Sequence, residues 1–145
     1  MTRYALVVLA GWLAVALPIQ AADPKAAAKK QVLLDLSSEA LIDAAAARTL
    51  LSDAIPASVW KLYPPSKWGF VSQVEGGFTA DRICVVTARV MLTPLTVTNG
   101  IILRPVKRAT AFDAKPNASH EECKAMARSK LKEAAASVVS SLVKS

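Results

Sequence analysis

The two cysteines of this chain lie in segments of opposite periodicity, and no other feature restricts the possible folds as much. Cys84 belongs to a β-prone run, residues 79–92. Cys84, Val86, Ala88, Val90 and Leu92 share one side of it, and Val85, Thr87, Arg89 and Met91 the other. Cys123 belongs to a stripe with Ala127, Leu131, Ala134, Val138 and Leu142, at the three- and four-residue steps of an amphipathic helix. Both phases turn the cysteine toward the apolar side, so the helix must lie on the sheet with the two sulfurs facing. No Cys-x-x-Cys is present, and an even cysteine count without metal-ligand spacing points to one disulfide in an oxidising compartment. Such a bridge closes a loop of about 40 residues and contributes about 4 kcal/mol through the unfolded state.

The remaining elements follow from local signals. Residues 31–36 carry Val32, Leu33, Leu34 and Leu36 around Asp35 and read as a short strand or the start of a helix. Ser37 or Ser38 is placed to cap a helix running to about Ala54, with Glu39 and Asp43 in its first turns and Pro56 ending it. Residues 57–67 read as a connection. Residues 68–75 alternate as a strand, Phe70, Ser72 and Val74 opposed to Val71, Gln73 and Glu75, with a turn expected at Gly76-Gly77. Asn99-Gly100 signals a type I′ hairpin turn, with Pro94 and Pro105 at the hairpin base. A returning strand runs to Phe112, with Val106, Arg108, Thr110 and Phe112 opposed to Lys107, Ala109 and Ala111. Residues 113–119 read as a loop, and Ser119-His-Glu-Glu122 as a capping box for the final helix. The order is (β)αβββα: an α+β domain with an antiparallel meander of three to four strands, two helices on one face and one disulfide.

The N-terminus speaks to destination. Arg3 precedes an apolar run from Ala5 to Leu17, Pro18 ends it, and Ile19-Gln20-Ala21 suits a cleavage site. Residues 1–21 therefore read as a secretory signal peptide, residues 22–30 as a flexible leader, and residues 31–145 as a single domain. The uncharged stretch from Tyr4 to Ala22 is also long enough to span a bilayer, so an uncleaved anchor is the rival reading. Cleavage leaves no transmembrane segment, and no cysteine stands near the cleavage site to accept a lipid. It also removes a single charged residue, Arg3, so the formal charge falls from +7 to +6.

Chemistry-bearing motifs are sparse. His120 is the only histidine, which leaves no zinc or haem ligand set and no cofactor. There is no Gly-x-Ser-x-Gly turn, and the five glycines form no phosphate loop. A role in binding is favoured over catalysis, with no catalytic residue assigned. The first candidate surface is Trp60, Tyr63 and Trp68, set among Pro64-Pro65, Lys61 and Lys67, where aromatic rings offer contact area and lysines attract acidic partners. The bland alternative is that these rings cover the end of the sheet. The second is a basic surface of Arg82, Arg89, Arg104, Lys107 and Arg108, a stretch of chain without a single acid. Here the bland alternative is solvation of an uncovered sheet face. The hairpin tip, residues 93–103, is too apolar for a freely solvated turn and either packs on the domain or docks another chain.

These features describe a small periplasmic or secreted binding or adaptor protein of an envelope assembly, with a protein partner in the cell envelope and no nucleic acid. Two alternatives stand beside it. One is binding of an anionic envelope polymer or lipid through the basic sheet face. The other is inhibition of a secreted hydrolase through the hairpin tip.

Overall fold

The computed structural model describes residues 30–143; the expected signal peptide and most of the leader lie outside them. The elements run β1 (Val32–Asp35), α1 (Ala44–Ala54), α2 (Ala57–Leu62), β2 (Trp68–Phe78), β3 (Ile83–Pro94), β4 (Lys107–Pro116) and α3 (His120–Val143). The four strands form one sheet in the order β1-β2-β3-β4. The α+β class is as expected, but the sheet is mixed. β2, β3 and β4 form the antiparallel meander, whereas β1 pairs parallel to β2. A parallel neighbour needs a crossover. Here α1 and α2 supply it, so three helices are present among the described residues rather than two.

α3 follows the sequence closely. Ser119 and Glu122 cap it reciprocally: Glu122 N donates to Ser119 Oγ (3.2 Å), and Ser119 N donates to Glu122 Oε2 (2.7 Å). Every member of its stripe, Cys123, Ala127, Leu131, Ala134, Val138 and Leu142, is buried. They meet Phe70 and Val74 of β2, the inward side of β3 and Ala111 of β4. The Cys84–Cys123 disulfide joins β3 to the first turns of α3.

Five local expectations need correction. α1 begins at Ala44 and not after Ser38, capped by Asp43, whose Oδ1 accepts from Ala46 N (2.8 Å). Ser37 and Ser38 are committed elsewhere. Ser37 Oγ donates to Asp35 Oδ1 and accepts from Val74 N, while Ser38 N donates to Val74 O. Those bonds carry the chain on along the β2 edge before a helix can start. The connection after Pro56 contains α2, six residues with no side-chain cap, too short to stand on propensity and held by the fully buried Val59.

The three remaining corrections concern two turns and the end of a strand. Gly76 and Gly77 do not turn; they stay in β2 at φ of +132° and +141°. A Cβ on Gly76 would lie 2.0 Å from Val85 O, so glycine is required where β2 twists past β3. The β2–β3 turn lies at residues 79–83: Arg82 N donates to Thr79 O, Thr79 N donates to Ile83 O, and Arg82 adopts φ +60°. Residues 96–100 repeat this arrangement, with Asn99 N to Thr96 O, Thr96 N to Gly100 O and Asn99 at φ +62°. Both are three-residue loops closed by a left-handed third residue, so Asn99-Gly100 is not a type I′ turn. β4 also outlasts its expected end, continuing to Pro116 before Asn117 turns the chain at φ +53°.

Candidate binding surface

Strand register divides the candidate residues between the two faces of the sheet. The helix-covered face carries Phe70, Ser72 and Val74 of β2, the even-numbered residues of β3, and Lys107, Ala109 and Ala111 of β4. The aromatic candidates belong to this side. Trp60 of α2 meets Phe70 edge to face, with centroids 5.3 Å apart, and Tyr63 meets Trp68 the same way at 5.6 Å. All three are partly buried and packed against the core, closing the end of the sheet under α2. The Trp60 Nε1 group is buried without a hydrogen-bond partner among the described residues.

Among the described residues no helix lies over the opposite face. Reading across β2, β3 and β4, its rows are Val71–Met91–Arg108, Gln73–Arg89–Thr110 and Glu75–Thr87–Phe112. Arg89 and Arg108 are therefore diagonal neighbours on adjacent strands. Arg89 Nη1 donates to Gln73 Oε1 at 3.5 Å, and Gln73 Nε2 donates to Glu75 Oε1 at 2.7 Å, so the arginine is steadied from β2. Among the described residues neither arginine forms an ion pair. Phe112 stands beside them, 67% exposed. Toward β1 this face closes up: Val71 and Thr93 are fully buried, and Leu95 reaches over Gly69.

The other cations of the basic stretch are scattered. Arg82 sits in the β2–β3 turn, at the far end of the ladder from Arg104, which lies in the excursion between residues 101 and 107. Lys107 points to the helix side of β4, opposite Leu92 in register. Five cations contiguous in sequence thus become one arginine pair and three separate charges. The excursion that displaces Arg104 is a tertiary fact with no local signal in the chain.

The base of the hairpin packs on the domain and its tip does not. Leu95 and Ile101 bridge each other and Leu95 N donates to Lys67 O, while Val97 at the tip is fully exposed. A groove of about 630 Å³ opens between the tip, the Pro65-Ser66 turn and the start of β1, lined by Val97, Asn99, Val32 and Leu33. A smaller cavity of about 180 Å³ lies at the other end, where His120 leans on Phe78 with centroids 4.9 Å apart and Cys123 lines the wall. Among the described residues no cluster of three or more His, Cys, Asp or Glu side chains is placed to hold a metal ion, and no helix is long and apolar enough to cross a membrane.

The molecule is thus of the α+β class, a disulfide-tied mixed sheet with helices on one face and an arginine pair on the other. No protein-family model matches the chain, and no curated protein sequence matches it. Among solved structures it is similar to PelC dodecamers from Paraburkholderia phytofirmans in two crystal forms. Identity there is 15% and 16%, with TM-scores of 0.45 and 0.43, each match covering 74% of this chain and 86% of the other. It is also similar to a protein of the DUF330 family from Xanthomonas campestris, at 13% identity and a TM-score of 0.42, covering 78% of this chain and 83% of that one. A likeness of this degree decides neither function nor partner.

Proposed function

We propose that this protein is exported and acts without catalysis, as a binding or adaptor component of an envelope assembly, and that it meets its partner through the helix-free sheet face. The observation that carries this reading is the adjacent pair Arg89 and Arg108, free of ion pairs among the described residues and set beside the exposed Phe112 on a rigid sheet. Arginine offers a planar fork of donors that suits carboxylate and phosphate, and an aromatic neighbour adds contact area at low entropic cost. The disulfide supports export, since such bonds persist in oxidising compartments. The signal-like segment of residues 1–21 supports it independently.

A photo-crosslinker placed at Thr87, on the helix-free face, tests this in the producing cell against the same group at Arg128, on the exposed side of α3. The expected result is a discrete envelope adduct from position 87 that is lost in Arg89→Glu and absent from position 128. Equal adducts from both positions, or none from position 87, sink the reading.

The arginine pair also favours a second reading, in which the face binds an anionic envelope polymer or lipid headgroup directly. Salt separates the two readings. Association with vesicles containing phosphatidylglycerol should weaken steeply toward physiological ionic strength, whereas a largely apolar protein contact should hold. Export itself is checked by intact mass with and without reduction: loss of about the first 21 residues, and a two-dalton shift on reducing the bridge.

A further inference from the structure

Among the described residues β4 pairs with β3 alone, so its other edge carries no strand; along that edge Ala114 N donates to Asp113 Oδ1 (2.9 Å). Which of its backbone groups face outward is fixed by the ladder. Asn117 N donates to Arg82 O in register with the β3–β4 pairing, and inward and outward residues alternate along an antiparallel strand. Residues 107, 109, 111, 113 and 115 therefore turn their N–H and C=O groups toward β3, and residues 108, 110, 112, 114 and 116 turn theirs outward. Pro116 agrees with this phase, since a proline costs no ladder bond where its missing N–H would face solvent.

We propose that the partner of this edge is a second copy of the chain, paired antiparallel through β4 about a two-fold axis at Thr110. Outward residues must meet outward residues, so the axis has to fall on a residue and not between two. Charge then chooses among the registers. An axis at Ala111 sets Lys107 against Lys115, and one at Asp113 sets that carboxylate against itself; like charges directly opposite are unfavourable. An axis at Phe112 pairs no charges at all. The axis at Thr110 sets Lys107 of each copy against Asp113 of the other. On the helix-free face it also sets Arg108 of each copy against Phe112 of the other.

This register covers Phe112, which is 67% exposed in the single chain. It lays an arginine on an aromatic face twice. The Asp113 carboxylate already holds Lys130 at 3.4 Å, so each end of the interface becomes a Lys–Asp–Lys array. The two sheets merge edge to edge into one of eight strands; Arg108 and Phe112 then belong to the seam, and Arg89 of each copy is what the merged helix-free face offers an outside partner. The inference rests on the edge geometry and stands whether or not that face binds anything.

The test is the oligomeric state of the full protein as purified from the producing cell with its disulfide intact. Sedimentation should give a dimer that dissociates on dilution. Thr110→Pro removes an outward donor without costing a β3–β4 bond, and should give a monomer that melts as the dissociated wild type does. Thr110→Cys puts the two sulfurs on the axis, at a hydrogen-bonded pair with Cα atoms about 5.5 Å apart, within disulfide reach. It should cross-link under mild oxidation, while Phe112→Cys should not. Lys107→Asp should weaken the dimer, and Asp113→Lys added to it should restore association. A wild type that stays monomeric at its highest attainable concentration overturns the proposal. So does a dimer that survives Thr110→Pro, or one that cross-links through Phe112→Cys in preference to Thr110→Cys.

Discussion

β3 and β4 are adjacent strands that alternate equally well in sequence, yet their burial could hardly differ more. Cys84, Val86, Ala88, Val90 and Leu92 of β3 are fully buried, whereas in β4 only Ala111 falls in the core. β3 has a strand on either side and α3 across one face; among the described residues β4 has a strand on one side only. Where α3 reaches β4, the residues beneath it are the small Ala109 and Ala111, and the join is finished by the ion pairs Lys130–Asp113 and Lys115–Glu122. Burial and a covalent bridge hold β3, while β4 relies on its ladder and on surface charge pairs that add little individually. Alternation in a sequence therefore states which side chains share a face. It does not state whether that face is covered, and the uncovered strand is the one left free to meet something else.

The bluntest way to break this contrast is to remove the bridge. Replacing Cys84 and Cys123 together by alanine should lower unfolding free energy by about 4 kcal/mol, the loop-entropy value for this separation, measured by chemical denaturation. A loss below about 1 kcal/mol would mean that burial alone fixes α3 on β3. A paired comparison sharpens the contrast. Leu131→Ala, under α3 and fully buried, should cost about 3 kcal/mol through lost transfer energy and a residual cavity. Phe112→Ala on β4, measured at low protein concentration, should change stability by no more than about 0.5 kcal/mol despite deleting a larger group. If the two costs are similar, β4 is better covered than its exposure indicates. Gly76→Ala probes the β2–β3 twist. With φ at +132° and Val85 O in the way of any Cβ, it should cost about 2 kcal/mol, and a neutral result would show that β2 can relax locally.

Much of the fold was legible because two periodicities crossed at the cysteines. The stripe of α3, the inward phase of β3 and their joining bond are consequences of residue spacing alone. The parallel β1 was not legible, because four half-buried residues carry no signal for direction. α2 was hidden since a single helical turn stands on Val59 and Trp60 packing, which only the assembled core supplies. The turns misled in an instructive way. Asn99-Gly100 suggested a two-residue loop, yet the device in both hairpins is a threonine at the first position. Thr79 Oγ1 accepts from Ile83 N, and Thr96 Oγ1 accepts from Gly100 N, each satisfying a donor that the tight loop leaves over. Thr-x-x-(Arg/Asn) with a left-handed fourth residue is a weaker local signal than Asn-Gly, and it was present twice. At the candidate surface, strand alternation aimed Arg89 and one of Lys107 or Arg108 away from the helices, and the register selects Arg108. The positions of Arg82 and Arg104 were not readable, since contiguity in sequence says nothing about position around a turn.

The smallest effect tests the joint between the two regions. Glu122 is half-exposed, caps α3 through Ser119 and reaches back to Lys115 on β4 at 2.6 Å. The Lys115 hydrogen bond foremost, then those from Ser119, hold its carboxyl down from the ordinary 4.5 to about 2. A depressed carboxyl pKa contributes stability that is fully present above the unfolded value and is lost as pH falls through the folded one, so the window runs from about 4.5 down to about 2. Glu122→Gln keeps an acceptor oxygen for Ser119 N while discarding the charge that attracts Lys115. Its melting temperature should therefore sit slightly below wild type at neutral pH, with the gap closing across that acid window. Lys115→Met should show the same convergence, because the two side chains act as one contact. A gap that stays constant from neutral to acid pH would assign the role of Glu122 to its cap alone, and the β4–α3 joint would then rest on Lys130 and Asp113.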